Sequence, residues 1–205
     1  MNTSGLEIET KFLVRNLKMV ETRLQNLGAR LITERQYERN LRFDLPDESL
    51  RKSHRVLRLR QDQASILTYK GPGKKPEGGI RAREEWEVTV NDFEVMRRIL
   101  ESLGYGILFI YEKYRTTYEF KNTEVMLDEL PFGFFVEIEG ETQKDILDIA
   151  AFLHLKWECA IQDSYQVEFD NSKILLNLTF RDLTFKNFKG ISVPATSLNA
   201  TYADQ

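Results

Sequence analysis

Several stretches of this chain alternate strictly between charged and apolar residues. In residues 6–14, Glu7, Glu9 and Lys11 fall on one side of a strand and Ile8, Thr10 and Phe12 on the other, because side chains two apart share a face. Asn16 then caps a helix with Leu17, Val20, Leu24 and Leu27 at helical spacing, and Gly28 supplies its stop. Residues 30–43 read as a long strand ended by Asp44 and Pro46, and 46–54 as loop. Strands follow at 55–61 and 65–70 around a short turn at Asp62-Gln63, then a glycine-rich loop at 71–79 and a strand at 80–90. Asn91 or Asp92 caps a second helix carrying Phe93, Met96, Ile99, Leu100 and Leu103, which Gly104 ends.

Two long strands come next, at about 107–120 and 123–130, turning near Lys121-Asn122; Pro131-Phe132-Gly133 is a further turn before a strand at 134–140. Helices follow at about 142–154, with Ile146, Ile149, Ala150 and Leu153, and at about 163–175. Short turns between strands favour antiparallel pairing. The expected architecture is α+β: an antiparallel sheet, closed on itself, with helices outside. The domain is expected to span residues 1–176. In the extension 177–205, Leu178-Thr179-Phe180 is repeated as Leu183-Thr184-Phe185, and its phenylalanines argue for docking on the domain.

Composition narrows the class. The chain has 205 residues, 41% hydrophobic, so one domain with a sizeable core is expected. It carries 29 bases against 32 acids, a net charge of -3, without the basic excess of a general nucleic-acid binder. Cys159 is the only cysteine, so no intrachain disulfide forms, and a structural thiol in a reducing compartment is expected. No signal-peptide pattern and no run long enough to span a membrane is present. A cytoplasmic protein without membrane or nucleic-acid partners is the plain expectation.

The charged faces recur strand by strand. Arg58 and Arg60 share one face opposite Leu57 and Leu59, and Lys70 follows on the next strand. Arg81, Arg83, Glu85 and Glu87 share a face opposite Trp86, Val88 and Val90. Lys113 and Arg115, then Asp128, then Glu137 and Glu139 complete the set. A single such strand fits an exposed one-sided sheet. The repetition favours a ring whose charged faces point inward while its apolar faces lie under amphipathic helices. Such an interior must be hydrated and charge-matched. Bases bind phosphate oxygens and clustered carboxylates bind Mg²⁺ or Mn²⁺; a polyphosphate with its metal ions presents both needs together.

These residues resemble a known family. Glu7-x-Glu9-x-Lys11 is similar to the ExExK signature of the CYTH superfamily, the triphosphate tunnel metalloenzymes. Leu57-Arg58-Leu59-Arg60, Leu67-Thr68-Tyr69-Lys70-Gly71-Pro72, Arg83-Glu84-Glu85-Trp86-Glu87, Lys113-Tyr114-Arg115, and Leu127-Asp128 before Phe135-Val136-Glu137-Ile138-Glu139 match in order across about residues 5–170. The resemblance implies an eight-stranded antiparallel barrel forming a triphosphate tunnel. It implies Glu7, Glu9, Asp128, Glu137 and Glu139 as metal-binding acids. Lys11, Arg58, Arg60, Lys70, Lys113 and Arg115 become the triphosphate clamp, with Arg83 beside them and Glu85 as an additional tunnel acid. Lys70 and Glu87 are candidate proton acceptors. Pro131-Phe132-Gly133-Phe134 departs from the Gly-Leu-Gly turn of relatives.

The leading expectation is a divalent-metal-dependent triphosphatase acting on PPPi, ATP or thiamine triphosphate. The alternative is a class IV adenylyl cyclase; Tyr69-Lys70-Gly71-Pro72 resembles that group more than animal thiamine triphosphatases. A non-catalytic polyphosphate sensor is a third reading, less favoured because the acids are present. His54 and His154 are too few for a zinc site. Gly71-Pro72-Gly73-Lys74-Lys75 lacks the phosphate-loop pattern; it reads as a hairpin loop or a lid whose lysines attract an anionic substrate. Relatives are commonly homodimers.

Overall fold

The structure, a computed structural model, describes residues 6–73 and 81–204 and, within these, all side chains except those of Leu6, Glu7 and Arg81. Lys74 and Lys75 of the glycine-rich loop lie outside the described residues. In chain order the elements are β1 (Leu6–Val14), α1 (Leu17–Asn26), β2 (Arg30–Asp44), α2 (Ser49–Lys52), β3 (Val56–Gln61), β4 (Ser65–Lys70), β5 (Arg81–Val90), α3 (Phe93–Ser102), β6 (Gly106–Phe120), β7 (Thr123–Leu130), β8 (Gly133–Gly140), α4 (Gln143–Phe152), β9 (Ala160–Ile161) and α5 (Tyr165–Leu176).

The helix starts follow from capping. Asn16, Asp92, Thr142 and Ser164 each accept a backbone N–H of the first turn, replacing one of the orphan donors of a helix N-terminus. The stretch 46–54, expected as loop, contains the single-turn α2. Asp44 holds it there, its carboxylate accepting the N–H groups of Leu45, Leu50 and Arg51.

Eight strands close into an antiparallel ring in the order β5-β4-β3-β2-β6-β7-β8-β1, with β1 returning to β5. Closure uses only part of β1. Its first residues pair with β5, through Glu7↔Arg83 and Ile8↔Ala82. Further along the same edge, Lys11 and Phe12 pair with β9 instead. The ring therefore opens at one end between β1 and β5, and β9 leads α5 into that gap.

Outward apolar faces pack as expected over much of the ring. Phe12, Val14, Val125, Leu127, Val136 and Ile138 lie under α1 and α4, against Val20, Leu24, Ile146 and Ile149. Leu41, Phe43 and Leu59 lie under α3, against Phe93 and Leu100. Each such fully buried side chain contributes about 1.5–3 kcal/mol. The outer face of β5 departs from the expectation: Trp86 and Val88 point outward but remain 58% and 55% exposed, because among the described residues no helix covers them.

The interior is not polar throughout. Leu13, Phe109 and Phe135 point inward at the open-seam end and pack with Phe169 of α5 and with Leu183, Phe188 and Leu198 beyond it. The alternation continues past the charges: Leu13 is two residues after Lys11, and Phe135 two before Glu137. The segment after α5 completes this plug. Leu183 bridges Tyr111 in parallel, on the edge of β6 that β7, which pairs from Tyr114 onward, leaves free. The N–H of Leu183 donates to Ile110 O at 2.9 Å, and the N–H of Glu112 to Leu183 O at 3.0 Å. Near the end of the chain, Ala203 donates to Leu13 O at 2.9 Å, and Asp204 accepts the N–H groups of Arg15 and Asn16. This apolar packing fills part of one end of the ring. Among the described residues no helix is long and apolar enough to cross a membrane.

Candidate active site

The ring encloses a cavity of about 1000 Å³ lined by charged side chains from β1 to β8. Cross-strand register explains why they converge, since directly opposed residues share a face. Lys11 opposes Glu137 and Glu9 opposes Glu139; Arg115 opposes Asp128; Lys70 opposes Glu85 and Thr68 opposes Glu87. Of the site residues expected from sequence, Glu9, Lys11, Arg58, Arg60, Lys70, Arg83, Glu85, Glu87, Lys113, Arg115, Glu137 and Glu139 all line this cavity. Asp128 lies behind that lining, and the Glu7 side chain lies outside the described residues.

Two walls face each other. On the first, Asp128 is fully buried, with 0% exposure. Its carboxylate accepts from Arg115 Nε and Nη2, each at 2.6 Å, from Lys113 Nζ at 3.0 Å, and from the Tyr165 hydroxyl at 2.9 Å. Glu137 Oε2 accepts from Arg115 Nη2 at 2.9 Å, and Tyr165 Oη lies 3.2 Å from it. Burial alone would raise the Glu137 carboxyl, but Arg115 and Lys11 hold it well below the usual carboxylate range. On the second wall, Lys70 Nζ lies 2.6 Å from Glu85 Oε2. Arg58 donates to Tyr111 Oη and Thr68 Oγ1, and its Nη2 lies 3.3 Å from Glu87 Oε1. Thr68 donates to the same Glu87 oxygen at 2.7 Å. Burial pushes Glu87 up, yet the Thr68 hydroxyl with Arg58, Arg60 and Lys70 leaves it lowered. Arg60 Nε lies 3.1 Å from Asp62 Oδ2.

The acids differ in their fitness for a metal. Both Asp128 oxygens are taken by bases and a hydroxyl, which makes this residue a partner of the clamp. Glu9 and Glu137 lie within hydrogen-bond contact of each other, with Glu139 on the opposed strand position. Two carboxylates that close need a proton or a cation between them. Among the described residues no three His, Cys, Asp or Glu side chains form a metal cage on their own. Mg²⁺ normally takes one or two protein carboxylates and completes its shell with water and substrate phosphate, so the Glu9, Glu137 and Glu139 donor set fits such an ion.

The inner face of β2 also belongs to the site and was missed. Glu38 opposes Lys113, Asn40 opposes Tyr111, and Arg42 opposes Phe109. The signal was present, since Gln36, Glu38, Asn40 and Arg42 alternate along one face of the expected strand. Burial would raise Glu38, but Lys113, Arg115, Arg60 and Arg58 bring it down to about 2. Tyr165 and Gln166 of α5 were missed for a different reason: a capping residue announces a helix without saying where it docks. Burial, then Asp128 and Glu137, push the Tyr165 hydroxyl well up, so it stays a proton donor.

A pH dependence of stability follows. Glu38 and Glu137 are lowered on folding, so their contribution is present above the unfolded value of 4.5 and is lost as pH falls below it. Glu168 on α5 is raised from 4.5 to about 7 by burial and by Asp163. Its contribution is complete below about 4.5 and is lost as pH rises through about 7. Urea midpoints measured against pH are expected to rise from pH 7 towards 4.5 and fall below it, and Glu168→Gln is expected to flatten only the upper limb. A wild-type midpoint unaffected by that substitution across the upper limb contradicts this assignment.

Residues 5–157 match the family model described as the CYTH domain. A Methanocaldococcus jannaschii protein, provisionally named an adenylate cyclase, is 27% identical over 78% of this chain and 96% of its own length. A Pyrococcus horikoshii structure superposes with a TM-score of 0.66 at 28% identity, covering 78% of this chain and 96% of that one. A Hippeastrum structure superposes with a TM-score of 0.58 at 19% identity, covering 80% and 95%. That Hippeastrum protein is a provisionally named adenylyl cyclase described as having a dominant triphosphatase activity. The aligned portion carries the ring and its charged lining, and the chain belongs to the CYTH family.

Proposed function

We propose that the protein is a divalent-metal-dependent triphosphatase whose substrate chain lies in the tunnel. The observation that carries this reading is the convergence of Lys11, Arg58, Arg60, Lys70, Arg83, Lys113 and Arg115 on one cavity beside the Glu9, Glu137 and Glu139 carboxylates. Bases so placed neutralise the charge of bound phosphates and the charge that develops in transfer. Glu9, Glu137 and Glu139, with Glu7 by its place on the same strand face, would hold Mg²⁺ or Mn²⁺. Such an ion supplies Lewis-acid polarisation of phosphoryl oxygens and of water.

In hydrolysis, water oxygen bonds to the terminal phosphorus and the bridging P–O bond breaks, its electron pair leaving with the diphosphate. The proton lost by water passes to a tunnel acid or to solvent. Glu87, lowered by its partners, is a weak base for that role. Lys70, beside Glu85, is better suited to holding phosphate than to accepting a proton.

The second reading is a class IV adenylyl cyclase, in which a ribose hydroxyl attacks the α-phosphorus of ATP and pyrophosphate leaves. The provisional name of the M. jannaschii relative favours it; the dominant triphosphatase activity described for the Hippeastrum protein favours hydrolysis. Incubation with ATP, PPPi or thiamine triphosphate, in Mg²⁺, Mn²⁺ or EDTA, followed by product separation, tests both. Phosphate release that EDTA abolishes supports the proposal. Cyclic AMP as the main product supports the second reading, and tight PPPi binding without turnover under either metal supports a non-catalytic sensor.

A further inference from the structure

We propose that Tyr165 is a positioning residue for the triphosphate clamp, its ring fixing the ammonium groups of Lys11 and Lys113, and that the C-terminal extension holds this tyrosine in place. The inference rests on the triphosphate reading above. It adds to the site a part that lies beyond the CYTH match, which ends at residue 157.

Tyr165 touches one inward side chain from each of four neighbouring strands. In ring order β6, β7, β8 and β1 supply Lys113, Asp128, Glu137 and Lys11. The hydroxyl lies 2.9 Å from Asp128 Oδ2 and 3.2 Å from Glu137 Oε2. The ring centroid lies 5.4 Å from Lys11 Nζ and 5.8 Å from Lys113 Nζ, inside the reach of about 6 Å for a cation–π contact. Each lysine also has acidic neighbours. Glu9 Oε1 is 3.9 Å from Lys11 Nζ, while Asp128 Oδ2 and Glu38 Oε2 are 3.0 and 3.6 Å from Lys113 Nζ. A lysine stem is flexible enough to fold its ammonium fully onto such an acid. The aromatic face opposes that collapse. It attracts the ammonium without taking up its N–H donors, which stay available to phosphate oxygens.

The place of the tyrosine is set from behind. Phe135 meets its ring edge-on at 5.1 Å. Tyr165 and Phe169 are four residues apart and so share a face of α5. Phe169 is fully buried, its ring 5.7 Å from Phe109, 6.0 Å from Phe180 and 5.9 Å from Phe188. Phe180 and Phe188 belong to the extension, which the two backbone hydrogen bonds of Leu183 pin to β6. Neither phenylalanine lines the cavity, so their influence on the clamp passes through α5.

Calorimetric titration of the full chain in Mg²⁺ with diimidotriphosphate and with β,γ-imido-ATP, whose nitrogen bridges resist hydrolysis, tests the assignment. Tyr165→Leu is expected to weaken binding about 10-fold, the scale of a desolvated cation–π contact. Tyr165→Phe, which restores the ring, is expected to recover most of that loss. Phe180→Ala is expected to weaken binding in the same direction, and to add no further loss when combined with Tyr165→Leu, because the two act through one contact. Thermal unfolding checks that each variant is folded; where Tyr165→Leu is not, Phe180→Ala carries the test alone. Wild-type affinity in folded Tyr165→Leu or Phe180→Ala, or a loss in Tyr165→Phe equal to that in Tyr165→Leu, overturns the proposal. So does a loss from Phe180→Ala that persists in full beside Tyr165→Leu. A wild-type protein that binds neither analogue overturns the triphosphate reading itself.

Discussion

Glu9→Gln is expected to cut turnover of a triphosphate by roughly 100- to 1000-fold, the scale for removing one preorganised electrostatic group from an active site, while the protein stays folded. Glu9 is buried on the inner face of β1, with Lys11 Nζ 3.9 Å and Arg83 Nη2 3.7 Å away. The amide keeps the shape of the carboxylate, so packing is preserved. It loses the charge that, with Glu137 and Glu139, would hold a divalent cation. Two measurements check this: turnover in saturating Mg²⁺, and the unfolding midpoint. Full activity in the folded variant, or wild-type activity indifferent to EDTA, contradicts the metal assignment.

Asp128→Ala is expected to destabilise the protein by about 3–5 kcal/mol, because removing one member of a buried ion pair leaves the others uncompensated. Asp128 binds Arg115 through two hydrogen bonds and Lys113 through a third. Alanine would leave Arg115 with Glu137 alone at 2.9 Å and Lys113 with Glu38 at 3.6 Å, two bases short of a partner in a buried wall. Urea unfolding gives the loss directly. A loss below about 1 kcal/mol, the scale of an exposed surface pair, would mean that solvent screens this cluster. The same residue bears on function, because the pairing holds Arg115 and Lys113 in place before any substrate arrives, and preorganised charge is what accelerates phosphoryl transfer.

The ring was legible because several of its strands alternate charged and apolar residues. Glu9-Thr10-Lys11, Arg58-Leu59-Arg60 and Glu137-Ile138-Glu139 each assign a face by period alone. Their direction became legible only from the repetition, and the buried outer residues Phe12, Leu59 and Ile138 bear it out. Two features escaped. Leu13, Phe109 and Phe135 share the inward face with the charges, but an apolar residue at the end of a strand reads equally as an outward anchor. The docking of α5 rests on the β1 edge that β5 leaves to β9, a tertiary register that no local pattern encodes. Asp128 was grouped with the acids by its chemistry. Its surroundings make it the partner of Lys113 and Arg115, a distinction that depends on which side chains the register brings together.

The central claim is that a triphosphate occupies the tunnel. A crystal structure of the protein with PPPi and Mg²⁺ tests it most directly. The account predicts PPPi inside the ring, contacted by Arg58, Lys70, Lys113 and Arg115, with a metal ion beside Glu9. PPPi bound only on the outer surface, or an empty tunnel at saturating ligand, would contradict it.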